Sequence, residues 1–88
     1  MSVRIKVTGV LRQRARNQEV VEVKGSTIGE CVGAFVSAFP DSRGLVLNDN
    51  NSLKVFVIVN KETTPTQDVK RHVSDDDELT LILLITGG

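Results

Sequence analysis

The chain has 88 residues, enough for one domain with a single core but modest in the fraction of surface it can bury. Its composition is that of an ordinary globular protein, 40% hydrophobic and 25% charged with a formal net charge of zero, which gives no case for a nucleic-acid binder. A lone cysteine, Cys31, excludes an internal disulfide and a cysteine-based zinc site, and fits a reducing compartment.

Val3, Ile5 and Val7 alternate with Arg4, Lys6 and Thr8, the period of a strand with one buried face. Gly9 breaks this strand, and a polar, arginine-bearing loop is expected to lead to a second run, Glu19-Val20-Val21-Glu22-Val23, returning as the other arm of a hairpin. Lys24-Gly25-Ser26 closes that arm. Thr27-Ile28-Gly29-Glu30 has the spacing of a capping box, with the threonine accepting from the amide three residues on and the glutamate reaching back. Ile28, Cys31, Val32, Phe35, Val36 and Phe39 then recur at helical spacing along one stripe, and Pro40-Asp41 ends the helix. Cys31 lies on the apolar stripe, so it reads as an inert small hydrophobe in preference to a nucleophile or sulfur acceptor.

Between Asp41 and Ser52 the sequence is irregular, with Leu45-Val46-Leu47 read as a single helical turn plugging one edge of the core. Asn48-Asp49-Asn50-Asn51-Ser52 is a turn-rich connector. Val55-Phe56-Val57-Ile58-Val59 is apolar at every position, so the strand is either covered on both sides or keeps one face for a partner. With one good helix in the chain, the second option is favoured: Val55, Val57 and Val59 face the helix, and Phe56 and Ile58 face away. Ile82 and Leu84 join them if the last strand is a neighbour in suitable register.

Thr63 to His72 reads as loop, with Pro65 and a turn around Gln67 to Lys70, and the lone His72 as an ordinary surface residue. Asp75-Asp76-Asp77 reads as a solvated tight turn, since three consecutive residues cannot converge on a cation and the spaced ligand pattern is missing. This acidic run contrasts with Arg4, Lys6, Arg12, Arg14 and Arg16, which have no acid among them, and the asymmetry points to a polar surface for a protein partner more than to a polyanion site. The longest apolar run, Leu81 to Ile85, is far short of a membrane span and no basic-then-apolar leader opens the sequence, so a soluble, cytoplasmic protein with no membrane partner is expected.

That last apolar run passes through Thr86 into Gly87 and Gly88. A buried strand gains nothing from terminal glycines. What two residues without side chains supply is passage: they can lie extended in a channel too narrow for any Cβ and present the terminal carboxylate to another protein's reactive centre. The alternative is an ordinary frayed end.

Hairpin, helix, strand, polar loop, strand is the order of an α+β roll with one main helix on a small mixed sheet of four to five strands, the first and last strands central. The order of elements, Ser26-Thr27-Ile28-Gly29-Glu30 opening the helix, Val57-Ile58-Val59-Asn60 before a turn, Val73-Ser74-Asp75-Asp76-Asp77-Glu78-Leu79 before the last strand and terminal Thr86-Gly87-Gly88 together resemble the ThiS/MoaD family of ubiquitin-like sulfur carriers, over essentially the whole chain. The resemblance implies a β-grasp fold, with residues 1–88 as a single domain and residues 85–88 as its flexible tail. It implies a carrier, not an enzyme: no catalytic residue, no metal ligand and no tightly bound cofactor. An adenylating enzyme of the ubiquitin-activating type would use ATP and magnesium to convert the Gly88 carboxylate to an acyl-adenylate, and a persulfide sulfur donor would displace AMP to leave a thiocarboxylate. Gly87 and Thr86 would thread the partner's active site, and Phe56, Ile58, Ile82 and Leu84 would form the docking patch.

The acceptor implied first is the large subunit of molybdopterin synthase, in molybdenum or tungsten cofactor synthesis. Cysteine synthesis, thiamine thiazole synthesis and conjugation to proteins through Gly88 are the alternatives. Two departures stand out. Asp76 stands where many relatives place glycine, in a turn that wants positive φ, and Leu83-Leu84-Ile85-Thr86 is bulkier than the proline and small residues usual before the terminal glycines in the molybdopterin and cysteine branches.

Overall fold

In a computed structural model, which describes residues 2–83, the alternation at the start of the chain becomes strand β1, Ser2–Lys6. It pairs antiparallel with β2, Val20–Lys24, in a register that sets Val3 opposite Val23 and Ile5 opposite Val21, so the apolar sets of both strands share one face. The segment between them corrects the sequence reading, because Gly9–Arg14 is a short helix, α1, and not an irregular loop. Leu11 and Ala15, four residues apart and therefore on one helical side, are both fully buried, and those two contacts hold the turn while Arg12, Gln13 and Arg14 stay in solvent. Arg16 and Asn17, at φ 56° and 61°, reverse the chain toward β2.

The principal helix, α2, runs from Ile28 to Ala38. Its first three amide donors all find acceptors: Ile28 N–H donates to the Arg71 carbonyl at 3.0 Å, Gly29 N–H to the Val69 carbonyl at 2.9 Å, and Glu30 N–H to Thr27 Oγ1 at 3.2 Å. The glutamate reaches one residue further back than the N-cap, with Glu30 Oε1 accepting from the Ser26 amide at 2.8 Å and the Ser26 hydroxyl at 2.9 Å. Gly29 suits this docking, since a Cβ there would stand 3.1 Å from the Val69 carbonyl oxygen and 3.2 Å from its Cβ, and the Val69 segment would have to give way by a few tenths of an ångström. Ile28, Cys31, Val32, Phe35 and Val36 are buried, as the stripe predicts. Phe39 follows at the C-cap, its ring centroid 5.4 Å from that of Phe35. After a 3-10 turn at Pro40–Ser42, helix α3, Arg43–Val46, buries Val46 against the core, which realises the expected plug two residues earlier than read.

β3, Val55–Val59, and β4, Glu78–Leu83, are antiparallel neighbours, and β4 lies parallel to β1. The sheet order is β2-β1-β4-β3, which places the first and last strands centrally and gives the α+β, β-grasp roll expected: a mixed four-stranded sheet under one main helix. The helix-facing side is dry: Val3, Ile5, Val55, Val57 and Leu79 have no exposed surface. The free edge of β3 is covered by the polar segment before β4. Thr66 exchanges two backbone hydrogen bonds of 2.8 Å with Val57, and the Gln67 side-chain amide donates to the Val55 carbonyl at 3.2 Å, which blunts an edge otherwise open to strand addition.

Candidate functional site

The period-two geometry of β3 divides its five apolar residues between two environments. Val55, Val57 and Val59 are buried in the core on the helix side of the sheet, whereas Phe56 and Ile58 lie on the opposite face and are half-buried. Phe56 stands directly opposite Ile82, and Ile58 opposite Thr80. Phe56, Ile58 and Ile82 therefore form one apolar patch on a sheet face that no helix among the described residues covers. Across the sheet the same face turns polar: Arg4 on β1 is flanked by Glu22 on β2 and Glu78 on β4, with Lys6 next to them. The alternation in β1 predicts Arg4 and Lys6 on the face away from the core, and the strand pairing makes them neighbours of the patch.

Ile82 is the last described residue on that face, and Leu83 the last described residue of the chain. Leu84, Thr86, Gly87 and Gly88, also predicted as site residues, lie outside the described residues. The patch is thus continuous in sequence with residues 84–88.

The other candidates have structural roles. Cys31 has no exposed surface, and burial pushes its thiol up from the ordinary value, opposite to what a nucleophilic thiolate needs. The acidic run is a turn whose members do separate jobs. Asp75 Oδ1 accepts from the Ser2 amide at 2.7 Å, Asp77 Oδ2 accepts from the Ser74 amide at 2.8 Å, and Asp76 occupies the left-handed region at φ 68°, the positive φ anticipated for this position. Among the described residues no group of three His, Cys, Asp or Glu side chains could hold a metal ion. His72 is exposed and bridges Thr27 through its backbone. Two hydrogen bonds from Ser26, the backbone one first, hold the Glu30 carboxyl below its usual range, which is a helix-capping effect. A groove of about 420 Å³ between α2 and the 47–53 segment is lined by Val32, Val36, Leu47 and Leu53, with Arg43 hydrogen-bonded to Asn51 at its rim. It lies on the helix side of the sheet, away from the open face.

A central parallel pair of first and last strands, one main helix on one side of the sheet and an apolar patch on the other make up the fold and its candidate surface among the described residues. The ThiS family model matches residues 5–88. This chain belongs to the ThiS family. No curated protein matches the sequence. Among solved structures, the ThiS-family chain is similar to SAMP1 from Haloferax volcanii, at 26% identity and TM-score 0.85, with 100% of each chain covered. It is similar at 24% identity and TM-score 0.80 to a chain of the Amycolatopsis orientalis BexX/CysO complex, over 98% of this chain and 99% of that one. A chain of the complex of subunits 1 and 2 of molybdopterin-converting factor from Helicobacter pylori matches at 16% identity and TM-score 0.64, with 100% of both chains covered. The family is that of ubiquitin-like sulfur carriers and modifiers, and no helix among the described residues is long and apolar enough to cross a membrane.

Proposed function

We propose that this protein is a sulfur carrier that is not itself a catalyst, and whose Gly88 carboxylate is the working group. A carboxylate is a poor electrophile until one oxygen is made a leaving group. Adenylation by an ATP- and magnesium-dependent enzyme of the ubiquitin-activating type supplies that step, with pyrophosphate released. Attack by a persulfide sulfur then expels AMP, and reductive cleavage of the resulting acyl disulfide by a thiol leaves Gly88 as a thiocarboxylate, a mobile nucleophile. Gly87 and Thr86 thread the partner's channel, and Phe56, Ile58, Ile82 and Leu84 dock against its surface.

The observation that carries the reading is the pairing of Phe56 with Ile82 on an uncovered sheet face, one strand-length from a terminal Gly-Gly. A face that stays apolar without being needed for the core is what a chain recognised by several successive partners requires. The acceptor proposed first is molybdopterin synthase, with this chain as its small subunit. The likeness to the molybdopterin-converting factor complex supports that choice at the level of fold, and the higher identity to the CysO complex supports cysteine synthesis as the alternative acceptor. A second reading, conjugation of Gly88 to lysines of other proteins, is favoured by the similarity to SAMP1, a small archaeal modifier protein. Deleting Gly87 and Gly88 separates these from an incidental tail. The carrier reading expects complete loss of function with an unchanged fold, and a non-covalent module would keep working. A ladder of higher-mass conjugates in cells, absent from the deletion variant, would favour the modifier.

A further inference from the structure

The two charged runs seen in the sequence lie at opposite ends of the two central strands. Asp75, Asp76 and Asp77 sit where β1 and β4 start: Asp76 N–H donates to the Ser2 carbonyl at 2.8 Å and Arg4 N–H to the Asp77 carbonyl at 2.9 Å. Because β1 and β4 are parallel, Arg4 opposite Glu78 and Lys6 opposite Thr80, both strands finish at the other end. There β1 passes into α1, which carries Arg12 and Arg14 and is followed by Arg16, and there β4 reaches Leu83, the root of the tail. The three arginines are exposed, and Arg16 is steadied by the Phe39 ring, 5.9 Å from guanidinium carbon to centroid. Glu19 and Asp41 are the acids on adjoining segments, and Asp41 lines the same hollow as Arg14 and Arg16, yet among the described residues the one ion pair joins Arg71 to Glu62, which leaves three arginines against two acids at this end.

Strand geometry separates the two ends by roughly 20 Å at about 3.3 Å per residue. That is more than twice the Debye length of about 8 Å at physiological salt. A partner approaching the tail end therefore meets a positive surface, although the chain as a whole has zero formal charge.

Resting on the carrier reading, we propose that Arg12, Arg14 and Arg16 form a docking rim that pairs with carboxylates around the mouth of the channel in the activating enzyme. The reach of the tail decides the chemistry of the counterpart. Five residues beyond Leu83 span at most about 18 Å when extended. With Gly88 at the nucleotide, a tail of that length lets guanidinium groups near its root remain at the channel entrance and meet protein side chains. Guanidinium forks suit such carboxylates by making paired hydrogen bonds. The rim also serves an electrostatic need: the tail carries a negative carboxylate toward a negative nucleotide, and positive charge at its root opposes that repulsion during encounter.

The test uses the full-length chain and the activating enzyme of the source organism, with kcat/KM for adenylation of Gly88 read as a function of salt. Arg12→Glu/Arg14→Glu leaves the Arg16 ring contact in place. Lys61→Glu/Lys70→Glu makes the same change in net charge with exposed residues away from the rim. The arginine variant is expected to lose at least about tenfold at low salt, with the gap closing as salt rises, while the lysine variant stays within about threefold of wild type. Equal rates for the arginine variant and wild type, or equal losses in both variants, would overturn the proposal. Thermal melts check that both variants fold. Failure of the wild type itself to be adenylated would instead refute the carrier reading, and this inference with it.

Discussion

Phe56 and Val57 are neighbours in β3 that point to opposite sides of the sheet, so changing them should give opposite results in two assays. Val57 has no exposed surface and belongs to the core between the sheet and α2. Val57→Ala removes two methyl groups at about 0.8 kcal/mol each and leaves a cavity, for a total of about 2–3 kcal/mol. For a domain of this size each kcal/mol moves the melting temperature by about 4–8 °C, so a fall of about 10–20 °C is expected. Phe56 is half-buried against its cross-strand partner Ile82 on the uncovered face, and its replacement by Asp forfeits about 1 kcal/mol or less of pairing energy. If that face docks partners, the same substitution puts an unpaired charge into an interface and costs about 2–4 kcal/mol there, roughly a 30-fold to 1000-fold weaker Kd. Thermal unfolding followed by circular dichroism, and titration against the activating enzyme, read the two effects separately. The account requires Val57→Ala to melt about 10–20 °C early and bind normally, and Phe56→Asp to lose no more than about 4–8 °C and bind poorly. An early-melting Phe56→Asp would mean the face is part of the core, and undiminished binding would mean that partners dock elsewhere.

Three further predictions follow from local geometry. Gly25→Ala should lower stability by about 1–3 kcal/mol, because its Cβ would stand 2.9 Å from both the Cys31 amide nitrogen and Sγ, and the nitrogen cannot retreat without shifting the start of α2. Denaturant melts check this, and an unchanged midpoint would show that the 24–31 segment yields freely. Asp76→Gly should be neutral to stabilising, by up to about 1 kcal/mol, since glycine occupies φ 68° without a Cβ penalty, and Asp76→Val should be destabilising by about 1–2 kcal/mol; the same melts decide. Glu30 is held below its ordinary value of 4.5, so its contribution to stability is fully present above that value and disappears as pH falls through the lower folded-state value. Glu30→Gln should therefore unfold more easily than wild type at neutral pH, with the gap closing as pH falls below 4.5 and through the lower folded-state value, and a gap independent of pH would contradict the capping role.

Where hydrophobic pattern alone dictates structure, the sequence was a sufficient guide. The alternation in β1, the five-residue apolar run of β3 and the stripe from Ile28 to Phe39 all became the elements read from them, because each must bury one side against the same core. α1 is not legible from hydrophobic pattern because Val10 is exposed and only Leu11 and Ala15 are buried, and three apolar residues among three arginines look like a polar loop; the spacing of four between Leu11 and Ala15 was the available signal. β4 begins at Glu78, before the apolar run at Leu81, because Glu78 and Thr80 lie on the open face and need no hydrophobicity to join the ladder. The bridge from Thr66 to Val57 and the carbonyls of Val69 and Arg71 that receive the first amides of α2 are backbone contacts between distant segments, which side-chain periodicity does not encode. The patch of Phe56, Ile58 and Ile82 was legible because a strand apolar at both parities, in a chain with one substantial helix, must leave one face uncovered. The encircling charges became meaningful only once the parallel pairing of β1 with β4 placed the arginines beside the root of the tail and the aspartates at the far end.

The proposed function turns on the Gly88 carboxyl group. Intact-mass analysis of the protein purified from its native cells, followed by fragmentation from the C-terminus, tests this most directly. The account predicts a population heavier by the replacement of one oxygen with sulfur, localised to Gly88 and lost when the activating enzyme is removed. Protein that carries only an ordinary carboxylate in cells actively expressing that enzyme, or sulfur bound elsewhere such as at Cys31, would contradict it.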